Sequence, residues 1–193
     1  RVESTYAPGV SWVGSESNST AILKKDVQTK YYVNTSTDAV RIWNVAIAAP
    51  GSLSTYSSPG AYAAGTLYKT ITIDENEKQV VEFKDKEGRG VLKKVQLTAS
   101  ADNGNGSGHT GWLCTYYIYD DFGNLRCVVQ PRGVELIASN WKLTDATILA
   151  EQCFRYEYDE RQRMIIKKVP GAGQVDMIYD VRDRLVMTQD AKL

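Results

Sequence analysis

The chain has one histidine, His109, and three cysteines, Cys114, Cys127 and Cys153, among 193 residues. A single imidazole excludes a multi-histidine metal centre, and three cysteines at this spacing do not match a zinc site. They cannot all pair internally, so they read as small buried hydrophobes. Net charge is also lacking: 23 basic residues face 23 acidic ones. The lysines fall in short groups, Lys24-Lys25, Lys93-Lys94 and Lys167-Lys168, beside acids or on strand edges. Nucleic acid and acidic lipid both need clustered positive surface, so neither is an expected partner. No run of about 18 apolar residues exists, which excludes a membrane-spanning helix. No signal-peptide pattern is present within the chain. It starts at Arg1 rather than methionine, which reads as a processed or excised piece.

What the chain does have is strand pattern. Apolar residues make up 42%, enough for a core in one domain or two small ones. Residues 1–66 are rich in Ser, Thr, Ala and Gly, with turn signals at Ala7-Pro8-Gly9, Ala49-Pro50-Gly51 and Ser58-Pro59-Gly60. Strands are predicted over 30–35 and 39–47, and a loop over 48–64. From Thr66 the pattern becomes regular, with strands at 66–73, 79–85 and 91–98. A glycine-rich stretch, 99–111, reads as a mobile tip. One short helix is predicted over 144–153, capped by Thr144 or Asp145.

The phrase "YYIYDDFGNLRCVV" (116–129) has a hairpin reading. Asp121-Phe122-Gly123 fits a three-residue loop with Gly123 left-handed, and Asp120 accepts turn amides. This register sets Tyr119 opposite Leu125 and Tyr117 opposite Cys127. The same spacing recurs. Asp85 with Gly88 sets Phe83 opposite Val91. Asp159 sets Tyr158 opposite Met164 and Tyr156 opposite Ile166. Asp180 sets Tyr179 opposite Leu185 and Met177 opposite Met187. Gln162 and Asp183 stand where glycine is expected, and "DENEK" (74–78) reads as a degenerate copy with Glu77 there. In the third copy Phe154, Tyr156 and Tyr158 alternate with Arg155, Glu157 and Asp159, which predicts a buried aromatic face and a wetted polar one.

Tyr-Asp at a turn, followed by Gly-Asn-Leu or Arg-Leu and returning after 21 residues, resembles the YD repeat of the Rhs family. "YYIYDDFGNLRCVVQP", "FRYEYDERQRMIIKKVPG" and "MIYDVRDRLVMTQD" are similar to Rhs-type proteins of Bacteroides-like bacteria. "GTLYKTITIDENEKQVVEFKD" and "EFKDKEGRGVLKK" resemble the segment before the repeats. The likeness covers about residues 62–193. It implies a large cell-surface or secreted protein whose repeats wind into a β-sheet shell, around a C-terminal toxin in polymorphic-toxin members. No Asp-Pro pair and no effector domain occur here, so cargo, self-cleavage and toxicity do not transfer. The chain ends straight after a strand, where another repeat is expected.

Chemistry has few other footholds. Asp120-Asp121, Asp159-Glu160 and Asp180/Asp183 look like paired carboxylates, but glycosidase work needs one raised pKa across a cleft of about 5 to 10 Å. Turn amides favour the ionised form instead. His109 has no orienting partner in sequence, and no nucleophile elbow, P-loop or dinucleotide fingerprint appears. Asn103, Asn105 and Ser107 mimic the first positions of a calcium loop, but Cys114 replaces its bidentate glutamate. Trp12, Trp43, Trp112, Trp141 and the tyrosines suit a core or a sugar-stacking face. Asn18, Asn34 and Asn105 head glycosylation sequons, relevant in a glycosylating host.

The expectation is an all-β fold of antiparallel hairpin repeats forming a long twisted sheet. Residues 1–66 form a segment before the repeats; 67–193 form the repeats, cut short at the C-terminus. The expected role is a non-catalytic scaffold with no cofactor or metal, whose partners are further repeats of the same parent chain. A carbohydrate- or cell-surface-ligand-binding module is the alternative, and a glycoside hydrolase a weaker one. The repeat residues that carry this reading are Asp85, Gly88, Tyr119, Asp120, Gly123, Leu125, Tyr158, Asp159, Met164, Tyr179, Asp180 and Leu185.

Overall fold

Strands dominate the computed structural model, which describes residues 1–6 and 26–191. The expectations placed on Ala7-Pro8-Gly9, Trp12, Asn18 and Lys24-Lys25 lie outside the described residues. In chain order the strands are β1 (Ser4–Tyr6), β2 (Asp26–Val33), β3 (Asn44–Ala46), β4 (Thr55–Ser57), β5 (Tyr68–Ile73), β6 (Gln79–Lys84), β7 (Gly90–Gln96), β8 (Trp112–Tyr119), β9 (Leu125–Val129), β10 (Cys153–Tyr158), β11 (Met164–Lys168), β12 (Gln174–Tyr179) and β13 (Leu185–Asp190). Two short helices, Pro131–Ile137 and Ala146–Glu151, lie between β9 and β10. The chain divides into two compact units, residues 1–40 with 62–113, and residues 41–61 with 114–193.

In the first unit β1, β2, β5, β6 and β7 pair antiparallel in that order. Register sets Lys69 opposite Phe83, Ile71 opposite Val81, and Phe83 opposite Leu92. Side chains alternate across a strand, so these residues share one face. All of them are buried, and so is Lys94, opposite Val81. Lys94 is therefore a core residue, not the strand-edge lysine expected of it. The glycine-rich stretch also departs from expectation. It folds back on the unit: the Leu97, Thr98 and Ala99 amides all point at the Gly111 carbonyl, and the Gly108 amide donates to Thr37. Gly111 sits at φ +80°, where a Cβ would fall 2.7 Å from the Ala99 nitrogen.

In the second unit β8 to β13 pair antiparallel in sequence order. β3 and β4 form a separate two-stranded ribbon. This ribbon corrects two expectations. The predicted 39–47 strand shrinks to Asn44–Ala46, because Ala39 turns left-handed at φ 50°. The predicted 48–64 loop contains β4, whose Tyr56 is buried. Tyr116 is fully buried, with Trp43 and Trp141 edge-on at 5.9 and 6.0 Å. Its hydroxyl accepts the Arg41 amide at 2.9 Å.

The Ala146–Glu151 helix falls where sequence placed it, with the Asp145 carboxylate capping Thr147 and Ile148. The Pro131–Ile137 helix was not expected. Pro131 occupies its first turn, where a missing N–H costs nothing. Val134 and Ile137, one turn apart, bury its inner side. Gly133 fits there because a Cβ would strike Gln152 at 2.9 Å.

The alternating face of β10 is reversed from expectation. Arg155 and Glu157 are buried with Cys153, while Phe154, Tyr156 and Tyr158 are half-exposed. Burial of the charged pair is possible because each finds a partner, described below.

Candidate functional site

Five aspartates, Asp74, Asp85, Asp120, Asp159 and Asp180, open the same turn. In each, the residue three positions on donates its amide to the aspartate carbonyl, at 2.9 to 3.1 Å. That residue is Glu77, Gly88, Gly123, Gln162 or Asp183, and all five are left-handed, at φ 62°, 82°, 83°, 60° and 61°. The aspartate amide in turn donates to the carbonyl four positions on. Its Oδ1 accepts amides two and four positions ahead at Asp74, Asp120, Asp159 and Asp180. At Asp85 it accepts the Arg89 amide. The carboxylate thus replaces the backbone acceptors that a tight bend removes.

Tyr119 stands opposite Leu125, Tyr158 opposite Met164, and Tyr179 opposite Leu185. The next pairs differ from expectation. Tyr117 faces Val128, not Cys127. Tyr156 faces Lys167, not Ile166, and Met177 faces Thr188, not Met187. Phe83 faces Leu92, not Val91. In four hairpins one extra residue, Val91, Arg126, Ile165 or Val186, sits six positions after the aspartate and shifts the register by one. This is a β-bulge, in which two residues oppose one. The Asp74 hairpin pairs straight through, Ile73 with Gln79 and Thr72 with Val80.

Arginine completes the device. The other carboxylate oxygen takes Arg89 at 2.6 Å in the Asp85 turn, Arg126 at 2.6 Å in the Asp120 turn, Arg163 at 2.7 Å in the Asp159 turn and Arg184 at 2.8 Å in the Asp180 turn. In the second unit the hairpins then lock to one another. Arg126 lies 5.2 Å over the Tyr158 ring, and the Tyr158 hydroxyl donates to the Leu125 carbonyl at 3.1 Å. One repeat on, Arg163 lies 5.0 Å over the Tyr179 ring, and the Tyr179 hydroxyl donates to the Met164 carbonyl at 2.9 Å. Each tyrosine therefore reaches back to the carbonyl facing the previous tyrosine. Of the half-exposed rings on the reversed face of β10, Tyr158 is such a tether.

Arg126 also anchors a buried network. Its Nη1 lies 2.6 Å from Glu157 Oε2. Glu157 accepts the Ser54 amide at 2.6 Å and the Ser54 hydroxyl at 2.8 Å. Arg155 donates to the Ser54 carbonyl at 2.6 Å, and Tyr56 donates to the Arg126 carbonyl at 3.1 Å. The ribbon is fastened to β9 and β10 through this set. Sequence reading missed Ser54, Arg126, Arg155 and Glu157 as a group. The available signal was an arginine four or six residues after each Tyr-Asp.

The acids show turn electrostatics. Burial pushes the Asp120 carboxyl up, but Arg126 and Asn124 more than reverse it, holding it below the usual range. Asp159 is lowered in the same balance, with Arg163 outweighing burial. Asp180 is lowered first by the Arg184 amide and then by its side chain.

The remaining candidates occupy other places. Cys114, Cys127 and Cys153 are buried and not disulfide-bonded. Burial, then Cys153, pushes the Cys127 thiol up, while the hydrogen bond from Cys127 draws Cys153 down. His109 is half-exposed, and its carbonyl accepts the Trp112 amide. Ser107, at position five of the calcium-loop register, lies 2.7 Å from the Lys94 ammonium. Among the described residues no group of three His, Cys, Asp or Glu is arranged for a metal, and no helix is long and apolar enough to cross a membrane. Trp43, Trp112 and Trp141 are buried or half-buried. Asn34 is buried, its side chain spent on Ala63, Thr66 and Leu67, so that sequon offers no free amide. An open groove of about 570 Å³ lies between residues 47–52 and 157–166. No known protein family's sequence profile matches the chain, and no curated protein is similar to it.

Proposed function

We propose that the chain is a non-catalytic structural section of a large Rhs-like YD-repeat protein, at the cell surface or secreted, in which it builds a β-sheet wall. The observation that supports this reading is the repeated lock: each tyrosine donates to the preceding hairpin and lies under that hairpin's arginine. The acids, arginines and tyrosines that suggest a site are spent on one another. Repeats of this kind bury their edges on their neighbours. β13 is exposed along its length, with the Leu185 carbonyl and Arg184 standing where the lock recurs. Further repeats of the parent chain are its proposed partners.

The test is a glycan array with calorimetric titration, run beside a glycoside-substrate screen. The scaffold reading expects no saturable binding and no turnover. Saturable binding that disappears in Arg161→Ala, a residue of the groove, would replace it with the carbohydrate-binding reading. Turnover would replace it with the hydrolase. In the intact parent protein the β13 amides are expected to exchange about 100-fold more slowly than in this chain.

A further inference from the structure

The first unit buries a charge group that the repeat lock does not use. Lys69, on β5, projects from the apolar face of its strand. Its Nζ lies 2.9 Å from Asp38 Oδ1 and 2.7 Å from Asp102 Oδ2, and all three side chains are fully inaccessible. The Phe83 ring closes one side, 5.6 Å from the nitrogen. Both carboxyl groups are held by their remaining contacts. Asp38 Oδ2 accepts the Thr35 amide at 2.8 Å, and Asp102 Oδ1 accepts the Gly104 amide at 2.8 Å. The Ser107 hydroxyl links Asp102, at 3.1 Å, to the Lys94 ammonium, at 2.7 Å.

Such an arrangement stabilises poorly as ions, because desolvating an amine and a carboxylate offsets most of their attraction. It is well placed as reactants: proximity without water lowers the barrier to a bond between the two groups. We propose that Lys69 condenses with Asp38 to form an intramolecular isopeptide bond, with Asp102 carrying the proton. The Lys69 ammonium gives one proton to the Asp102 carboxylate. The freed lone pair attacks Cγ of Asp38, forming the N–C bond. The proton on Asp102 and a second from the nitrogen go to one Asp38 oxygen, its C–O bond breaks, and water leaves. Asp102 returns to its starting form. An ammonium and a carboxylate become an amide and one water, so no oxidant, cofactor or activating group is consumed.

Two features favour this assignment of roles. Burial pushes the Asp102 carboxyl up, and Lys69, the Gly104 amide and Ser107 more than reverse this, so it starts ionised, and its Oδ2, 2.7 Å from Lys69 Nζ, is within reach of the proton. Charge also stays balanced. Once Lys69 and Asp38 are joined, Asp102 and Lys94 remain as one opposite pair bridged by Ser107. The bond would tie β5 to the turn that follows β2.

Intact-mass spectrometry of the purified chain under denaturing conditions tests the proposal. The expected mass is about 18 Da below that of the sequence, one water lost. After trypsin, peptides 31–41 and 42–78 are expected as one joined species. Reading the joined species separates the bond from ring closure at Asn103-Gly104. Lys69→Arg, which keeps a cation but cannot condense, is expected at full mass. Asp38→Asn still joins, losing ammonia, and Asp102→Asn does not. A wild-type chain at full mass, in which trypsin cuts after Lys69 and releases 31–41, 42–69 and 70–78 separately, overturns the proposal, whatever the variants do. A peptide joined through Asp102 overturns the assignment of roles.

Discussion

The Asp120 and Asp180 hairpins are built from the same turn yet stand in opposite surroundings. Both aspartates accept two turn amides on Oδ1 and an arginine on Oδ2. The Arg126–Asp120 side chains are 4% and 2% exposed; those of Arg184 and Asp180 are 68% and 22%. Burial declines steadily from β10 through β11 and β12 to β13. The turn is thus a local object, set by a carboxylate and one left-handed residue. What it contributes to stability depends on the neighbour that covers it. An exposed ion pair contributes roughly 0 to 1 kcal/mol, whereas breaking a buried one leaves an uncompensated charge.

Substitution can break this comparison at several depths. Arg126→Ala strands Asp120 and Glu157 and is expected to cost about 3–5 kcal/mol in urea denaturation. Arg184→Ala is expected to stay within about 0.5 kcal/mol. Equal effects would show that the two hairpins are energetically alike after all. Gly123→Ala, at φ 83°, should cost about 1 kcal/mol, while Gln162→Gly, at φ 60°, should change stability by less than about 1 kcal/mol and in the favourable direction. Tyr158→Phe and Tyr179→Phe each remove a hydroxyl donor and should cost about 0.5–1.5 kcal/mol, read from the same denaturation curves.

The smallest effect lies in acid. Asp120, Asp159 and Asp180 are held below the ordinary value of 3.8, so the stability they contribute is full above that pH and is lost as pH falls through their folded values. The denaturation midpoint should be level above about pH 5 and fall below about pH 4. Asp120→Asn should flatten that fall more than Asp180→Asn.

Much of this was legible in the sequence because it is local. The aspartate-to-glycine spacing placed the left-handed residue, and even Gln162 and Asp183 took that role. Tyr119, Tyr158 and Tyr179 found their predicted cross-strand neighbours because the bulge begins just beyond them. Past the bulge the register slipped by one, since nothing in Val91, Arg126, Ile165 or Val186 marks the extra residue. The faces of β10 read wrongly for a different reason. Alternation reveals two faces but not which is covered, and Arg155 and Glu157 are buried because Ser54, about a hundred positions away, and Arg126 supply their partners. Lys69 carried a signal that went unread, a lysine between Leu67 and Ile71 on an apolar face. Its carboxylate partners come from loops that no pattern ties to it.

The tyrosine tethers have a consequence for how the sheet tolerates shortening. Each hydroxyl of Tyr158 and Tyr179 donates to a strand made earlier in the chain. An earlier hairpin keeps its turn bonds when a later one is cut away, though Arg126 loses Glu157 and Arg163 loses Asp183, whereas a later hairpin loses the acceptor of its tyrosine when an earlier one goes. Deletions from the two ends are therefore unequal, and the tethers give the sheet a built-in direction.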